Sequence, residues 1–184
     1  VTTAAATLLP GDFGLVRTHG EVSRLIGAAE FLDELAQGHW STADRASLFR
    51  HAFLVERVDG QVVHAIEARP SGAGRATYRL DDPTIAWSAG HFQLTEAQRQ
   101  AIVAWAVAHI GDTYSWRAYV RQAAVRLHLP LAAALMARQI EENHEELCSQ
   151  FVDCAYQAGP YQLFADGRAP YDVAPSDLAD LIAA

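Results

Sequence analysis

A chain of 184 residues, 51% hydrophobic and 20% charged, has the composition of an ordinary globular protein and is long enough to bury a core as a single domain spanning 1–184. Its net charge of −8, with the basic residues scattered singly, argues against a nucleic-acid-binding face. No apolar run approaches the roughly 20 residues needed to cross a bilayer, and the start, Val1 to Pro10, has neither the basic nor the long apolar part of a signal peptide.

Pro10-Gly11-Asp12 is a turn signal, and Phe13 to Val16 follows as a short strand. From Glu21 to Ala36, apolar residues at Val22, Leu25, Ile26, Ala29, Leu32 and Leu35 recur at helical spacing, and Gly38 ends that helix. Phe49 to Val58 is rich in strand formers. Asp59-Gly60 is a hairpin turn, and Gln61 to Ala68 returns as the partner strand. Pro70 to Gly74 breaks the pattern. Ala76 to Leu80 and Ile85 to Ser88 read as two further strands.

Thr95-Glu96-Ala97-Gln98 has the form of a capping box and opens a helix that runs to about Ile110 and stops at Gly111. Tyr114 to Leu129 is mixed, and Leu131 to Glu141 reads as a helix. Asn143, with Glu146 three residues on, caps the next helix, which carries Cys148 and Cys154 and ends at Gly159-Pro160. Pro175 opens a last short helix. Strands come first and helices after, joined by hairpins, which predicts an α+β fold with an antiparallel sheet packed against helices.

Three segments carry chemistry. His51 starts one hairpin strand, Glu67 lies near the end of its partner, and Cys148 lies near the start of a helix. A thiol of ordinary pKa is mostly protonated at neutral pH, and a helix N-terminus with an adjacent imidazolium lowers that pKa. The histidine takes the thiol proton and later gives it to the leaving group. A third polar group holds the imidazole in one tautomer, and backbone N–H groups at the helix start can form an oxyanion hole. With the turn at Asp59-Gly60, His51 pairs with about Ala68, and a one-residue bulge would put Glu67 and His51 on one face.

In this order the motifs resemble the circularly permuted NlpC-type papain-like hydrolases, a group that includes the lecithin retinol acyltransferase relatives. Leu9-Pro10-Gly11-Asp12-Phe13 resembles the group's opening turn and strand, and His51-Ala52-Phe53 its histidine strand. Glu67-Ala68 followed by Gly72-Ala73, then Gly111-Asp112-Thr113-Tyr114, resemble its middle segments. Cys148-Ser149-Gln150 resembles the nucleophile motif, and Pro175-Ser176-Asp177-Leu178 the ending. The resemblance implies a papain-like core with Cys148 as nucleophile, His51 as base and Glu67 as orienting acid, acting on a peptide-like or acyl substrate with no cofactor. Some relatives use a histidine on this strand as the third member of the triad, so His64 competes with Glu67. On an extended strand the two point to opposite faces, and only one can face His51. Otherwise His64 and Tyr114 are read as substrate-side residues.

Outside the motif order, Cys148 would read as a buried structural thiol, and Cys154, at helical spacing with Phe151 and Ala158, still does. Trp87, Trp105 and Trp116 suit core or groove lining. His144 and Cys148 lie one helical turn apart, but no further ligand supports a metal. Glu141, Glu142, Glu145 and Glu146 precede Cys148 and oppose a thiolate nearby. On one helix the two cysteines stand about 9 Å apart along the axis, too far to bridge. Two unbridged thiols suit a reducing, cytoplasmic compartment. Amide hydrolysis is the leading expectation. A lipid-directed thiol acyltransferase or esterase, or a binding module that keeps the fold without chemistry, are the alternatives.

Overall fold

The computed structural model describes residues 7–17, 49, 51–69, 72–112 and 148–183. The helices expected over 21–36 and 131–141, the mixed stretch 114–129 with Tyr114 and Trp116, and the segment holding Asn143, His144 and the four glutamates lie outside the described residues.

The strands form where apolar and β-branched residues concentrate: β1 (Phe13–Val16), β2 (His51–Asp59), β3 (Val62–Arg69), β4 (Gly72–Arg79) and β5 (Ile85–Trp87). They make one five-stranded sheet in the order β4-β3-β2-β1-β5, with every pairing antiparallel. Asp59-Gly60 turns the β2–β3 hairpin as expected, Gly60 taking a positive φ of 61°. β4 begins at Gly72 rather than Ala76. Its glycine-rich start is held in the sheet from outside, because Ala73 N–H donates to Asp112 O (2.8 Å) and Gly111 N–H to Ala73 O (2.9 Å).

Among the described residues, three helices complete the α+β architecture: α1 (Glu96–Ala108), α2 (Cys148–Ala158) and α3 (Pro175–Ala183). Thr95 caps α1 with the reciprocal bonds of a capping box. Gln98 N–H donates to Thr95 Oγ1 (3.3 Å), and Thr95 N–H donates to Gln98 Oε1 (2.9 Å). Asp177 serves the start of α3, accepting from Ala174 N–H at 2.6 Å. Ser149 Oγ donates to Val173 O (2.6 Å) and ties α2 to the turn before α3.

Phe13, Leu15, Ala52, Leu54, Ile66 and Ala68 alternate onto one sheet face. They pack with Ile102 and Ala106 of α1, with Phe151, Ala155 and Tyr156 of α2, and with Leu178 of α3. The opposite face is also buried at Phe53, Val55, Val63 and Ala65, so β2 has an unbroken buried run from Ala52 to Val55. Among the described residues, no helix is long and apolar enough to cross a membrane.

One buried ion pair joins the turn before β1 to α1. Asp12 is 1% exposed and accepts from Leu9 N–H (2.8 Å) and from Arg99 Nη1 (2.9 Å), while the same Arg99 nitrogen donates to Pro10 O (2.9 Å). Gly11 has a φ of +85°, and a Cβ there would stand 3.2 Å from Arg99 Cα, so the close approach of α1 needs a glycine. Replacing Arg99 by Ala leaves Asp12 buried without its charge partner. Urea unfolding should then show a loss of about 3–5 kcal/mol; a loss within error of zero would show that the pair does not hold α1 to the sheet.

Candidate active site

The site begins with a change of register in the β2–β3 hairpin. Near the turn Arg57 stands opposite His64, a register that would set Leu54 against Glu67 if carried along the strands. Between Arg57 and Val55 one extra residue, Glu56, enters β2, and beyond it Leu54 faces Ile66. That shift brings Phe53 level with Glu67 and puts His51 on the same face as Glu67. The bulged Glu56 carboxylate is gripped by Arg75 of β4, whose Nε and Nη2 donate at 2.8–3.1 Å.

Glu67 is 1% exposed, so its carboxylate needs charged or hydrogen-bonding partners. His51 Nε2 is hydrogen-bonded to Oε2, which also accepts from the Tyr78 hydroxyl at 2.6 Å. Oε1 is ion-paired with Arg69 Nε. Burial pushes the Glu67 pKa upward. The bonds from His51 and Tyr78, together with the charges of His51 and Arg69, outweigh that and hold it below the usual carboxylate range. Glu67 is therefore an anion at neutral pH.

Cys148, the first described residue of α2, lies within hydrogen-bonding reach of His51 and is 1% exposed. With Nε2 committed to Glu67, Nδ1 is the ring nitrogen left for the thiol. Burial alone would lower the His51 pKa. Hydrogen bonds with Cys148 and Glu67, and the negative charges of both, reverse that and raise it to about 9. The arrangement favours an imidazolium between two anionic partners, sulfur on one side and carboxylate on the other. His51 keeps 18% of its side chain exposed and forms the open wall of the site beside the nearly sealed sulfur.

Of the residues singled out in the sequence, Cys148, His51 and Glu67 thus come together. His64 does not. It sits near the hairpin turn between Arg57 and Asp59, with Nε2 at 3.1 and 3.0 Å from them. Its odd spacing from Glu67 and its place at the far end of β3 correct the expectation that it competes with Glu67 to face His51. Tyr114 lies outside the described residues. Cys154 is half-buried rather than core, and neither cysteine is in a disulfide. Trp87 lines the sheet face beside Phe53, their rings edge to face at 5.6 Å.

Tyr78 and Arg69 escaped sequence reasoning. Tyr78 stands opposite Val63, and its ring leans along the sheet to reach Glu67. Small residues at Ala76 and Gly74 separate it from Glu67's level on β4, and that is the signal that a long side chain could lie there. Its ring stacks on Phe53 at 4.0 Å and 7°. Phe53 in turn occupies the space where a Gly14 side chain would be, since a Cβ there would meet the ring at 2.3 Å. Gly14→Ala should cost about 1–3 kcal/mol in unfolding free energy and displace the ring that backs Tyr78; full stability in this variant would show that the packing is slack.

A shallow polar cavity of about 490 Å³, lined by Gln157, Tyr161, Gln162, Gly167 and Arg168 among others, lies by the other end of α2. Nine residues of helix, about 13 Å, separate Gln157 from Cys148.

Glu67→Gln keeps the shape of the side chain and removes its charge. The His51 midpoint, followed by NMR of its ring signals, should fall from about 9 by roughly a unit or more; an unchanged midpoint would remove Glu67 as a source of the imidazolium's stability. The chain matches no protein-family model, no curated protein and no solved structure.

Proposed function

We propose that the protein is a cysteine hydrolase of papain-like type that cleaves an amide bond in a peptide-like substrate, with Cys148 as nucleophile, His51 as acid and base, and Glu67 as the orienting carboxylate. The observation that carries this reading is the convergence of three separate elements, β2, β3 and the start of α2, on one hydrogen-bonded Cys148–His51–Glu67 line. A structural thiol needs no imidazole, and a surface histidine needs no buried carboxylate behind it. The motif order from Pro10-Gly11-Asp12 to Pro175-Ser176-Asp177-Leu178 supports the same reading.

In the acylation half, the Cys148 sulfur attacks the carbonyl carbon, and charge develops on the carbonyl oxygen near the amides of the helix start. The C–N bond breaks as His51 gives its proton to the leaving nitrogen, and the acyl group stays on sulfur as a thioester. In the second half, His51 takes a proton from water as the hydroxyl adds to the thioester. The acid leaves, and the sulfur again shares a proton with His51. Glu67 holds Nε2 throughout and stays ionised. The hydroxyl next to the nucleophile does not compete, because Ser149 Oγ is spent on Val173 O.

The decisive experiment maps the adduct of an iodoacetamide-type thiol probe by mass spectrometry in wild type and in His51→Ala. Labelling should fall on Cys148 far faster than on the more accessible Cys154, and His51→Ala should slow it by at least about tenfold. Equal, slow labelling of both cysteines, or Cys148 reactivity indifferent to His51, overturns the reading. A second expectation is the sign of the pH dependence. His51 must be protonated to expel the amine, so turnover of an amide substrate should fall as pH rises through about 9. Alkylation of Cys148, which needs no acid, should not fall there.

A further inference from the structure

Glu67 has more partners than an orienting carboxylate needs. His51 and Tyr78 share Oε2, Arg69 pairs with Oε1, and Arg69 also hydrogen-bonds Tyr78, so the carboxylate closes a ring with both. The Tyr78 ring cannot swing away cheaply. It is stacked on Phe53, which is itself held by the edge of Trp87 and by the bare backbone of Gly14. Arg69 is half-exposed and brings a positive charge to the outer side of the carboxylate.

We propose that Tyr78 and Arg69 are positioning residues that draw negative charge off Glu67 and so set how readily His51 gives up its proton. A carboxylate with all its lone pairs on His51 would hold the imidazolium too firmly for a good general acid. Each competing donor weakens the Glu67–His51 bond, and the Arg69 charge disfavours the imidazolium directly. The proposal rests on the hydrolase reading above and adds the two residues that tune it.

Among the described residues, the charged and titratable groups around His51 are Cys148 from α2, Glu67 and Arg69 from β3, and Tyr78 from β4. β1 contributes Val16 opposite His51, and the neighbouring Arg17 lies over the Phe49 ring at 5.0 Å. The two donors can therefore be removed one at a time without exposing another described charge to the imidazole.

The test follows the His51 ring signals by NMR across its titration in the full chain, with the signals assigned by comparison with His51→Gln. Tyr78→Phe keeps the stack on Phe53 and removes only the hydroxyl. Arg69→Met keeps most of the stem and removes the charge. Each should raise the His51 midpoint by on the order of half a pH unit, and Arg69→Lys should bring it back toward wild type. Arg79→Met, which removes an exposed arginine at the end of β4 paired with Asp81 in the turn beyond it, should leave it unmoved. A midpoint that stays or falls in both Tyr78→Phe and Arg69→Met overturns the proposal, and if Tyr78→Phe does not fold, Arg69→Met alone decides. Failure of the underlying reading looks different: His51 would then titrate near the ordinary histidine value of about 6.5 in the wild type itself.

Discussion

A carboxylate withdrawn from water must be met by positive charge and hydrogen bonds, and Glu67 at 1% exposure imposes that demand on the whole sheet. It is met by side chains from β2, β3 and β4, so these strands must lie in one register for the anion to survive burial. Slippage by one residue would turn the charge to the opposite face, against the apolar side chains of α1 and α2 and without its partners. The polar cluster therefore specifies the pairing as well as building the candidate site, and its energetic weight lies in the penalty for breaking it.

The rest of the molecule can be read as support for that cluster. β2 is buried on both faces from Ala52 to Val55, which fixes His51 at the edge of a rigid element instead of on a loop. The apolar face of α2, with Phe151, Ala155 and Tyr156, settles on the sheet, and Ser149 anchors its first turn to the chain before α3. Cys148 is held from behind by that packing while its side chain meets His51 in front. Asp12 and Arg99 lock α1 against the turn that leads into β1, and β1 is the strand that pairs with the start of β2.

Local chemistry was legible in the sequence, and distant pairing was not. The Asp59-Gly60 turn, the Thr95 capping box and the β1 segment are written in a few neighbouring residues, and the structure places each where those residues indicate. Cys148, His51 and Glu67 were legible because each sits at a position where a short motif and an element boundary coincide. β4 was read four residues short because Gly72 to Gly74 looks like a breaker, yet Asp112 and Gly111, far along the chain, pin that glycine-rich stretch through Ala73. Tyr78 and Arg69 were missed for the same reason. Their role depends on how β3 and β4 align, and no local pattern encodes which carboxylate a long side chain leans toward. His64 was attractive because it is a histidine on the right strand, and the parity of that strand turns it away.

The bulge at Glu56 makes the two strands of the hairpin unequal in the change of length they can absorb. Substitution at position 56 changes a surface carboxylate and its Arg75 partner. Losing the residue altogether would let the Arg57–His64 and Val55–Ala65 pairs follow one another as a regular ladder, so His51 would keep its face beside Glu67. A residue gained or lost on β3 between Ala65 and Glu67, where no bulge stands to absorb it, would instead turn the carboxylate to the helix-packed face and part it from His51. The hairpin therefore absorbs a change of length on the His51 side of the turn and resists one on the Glu67 side, an asymmetry set by where the bulge lies.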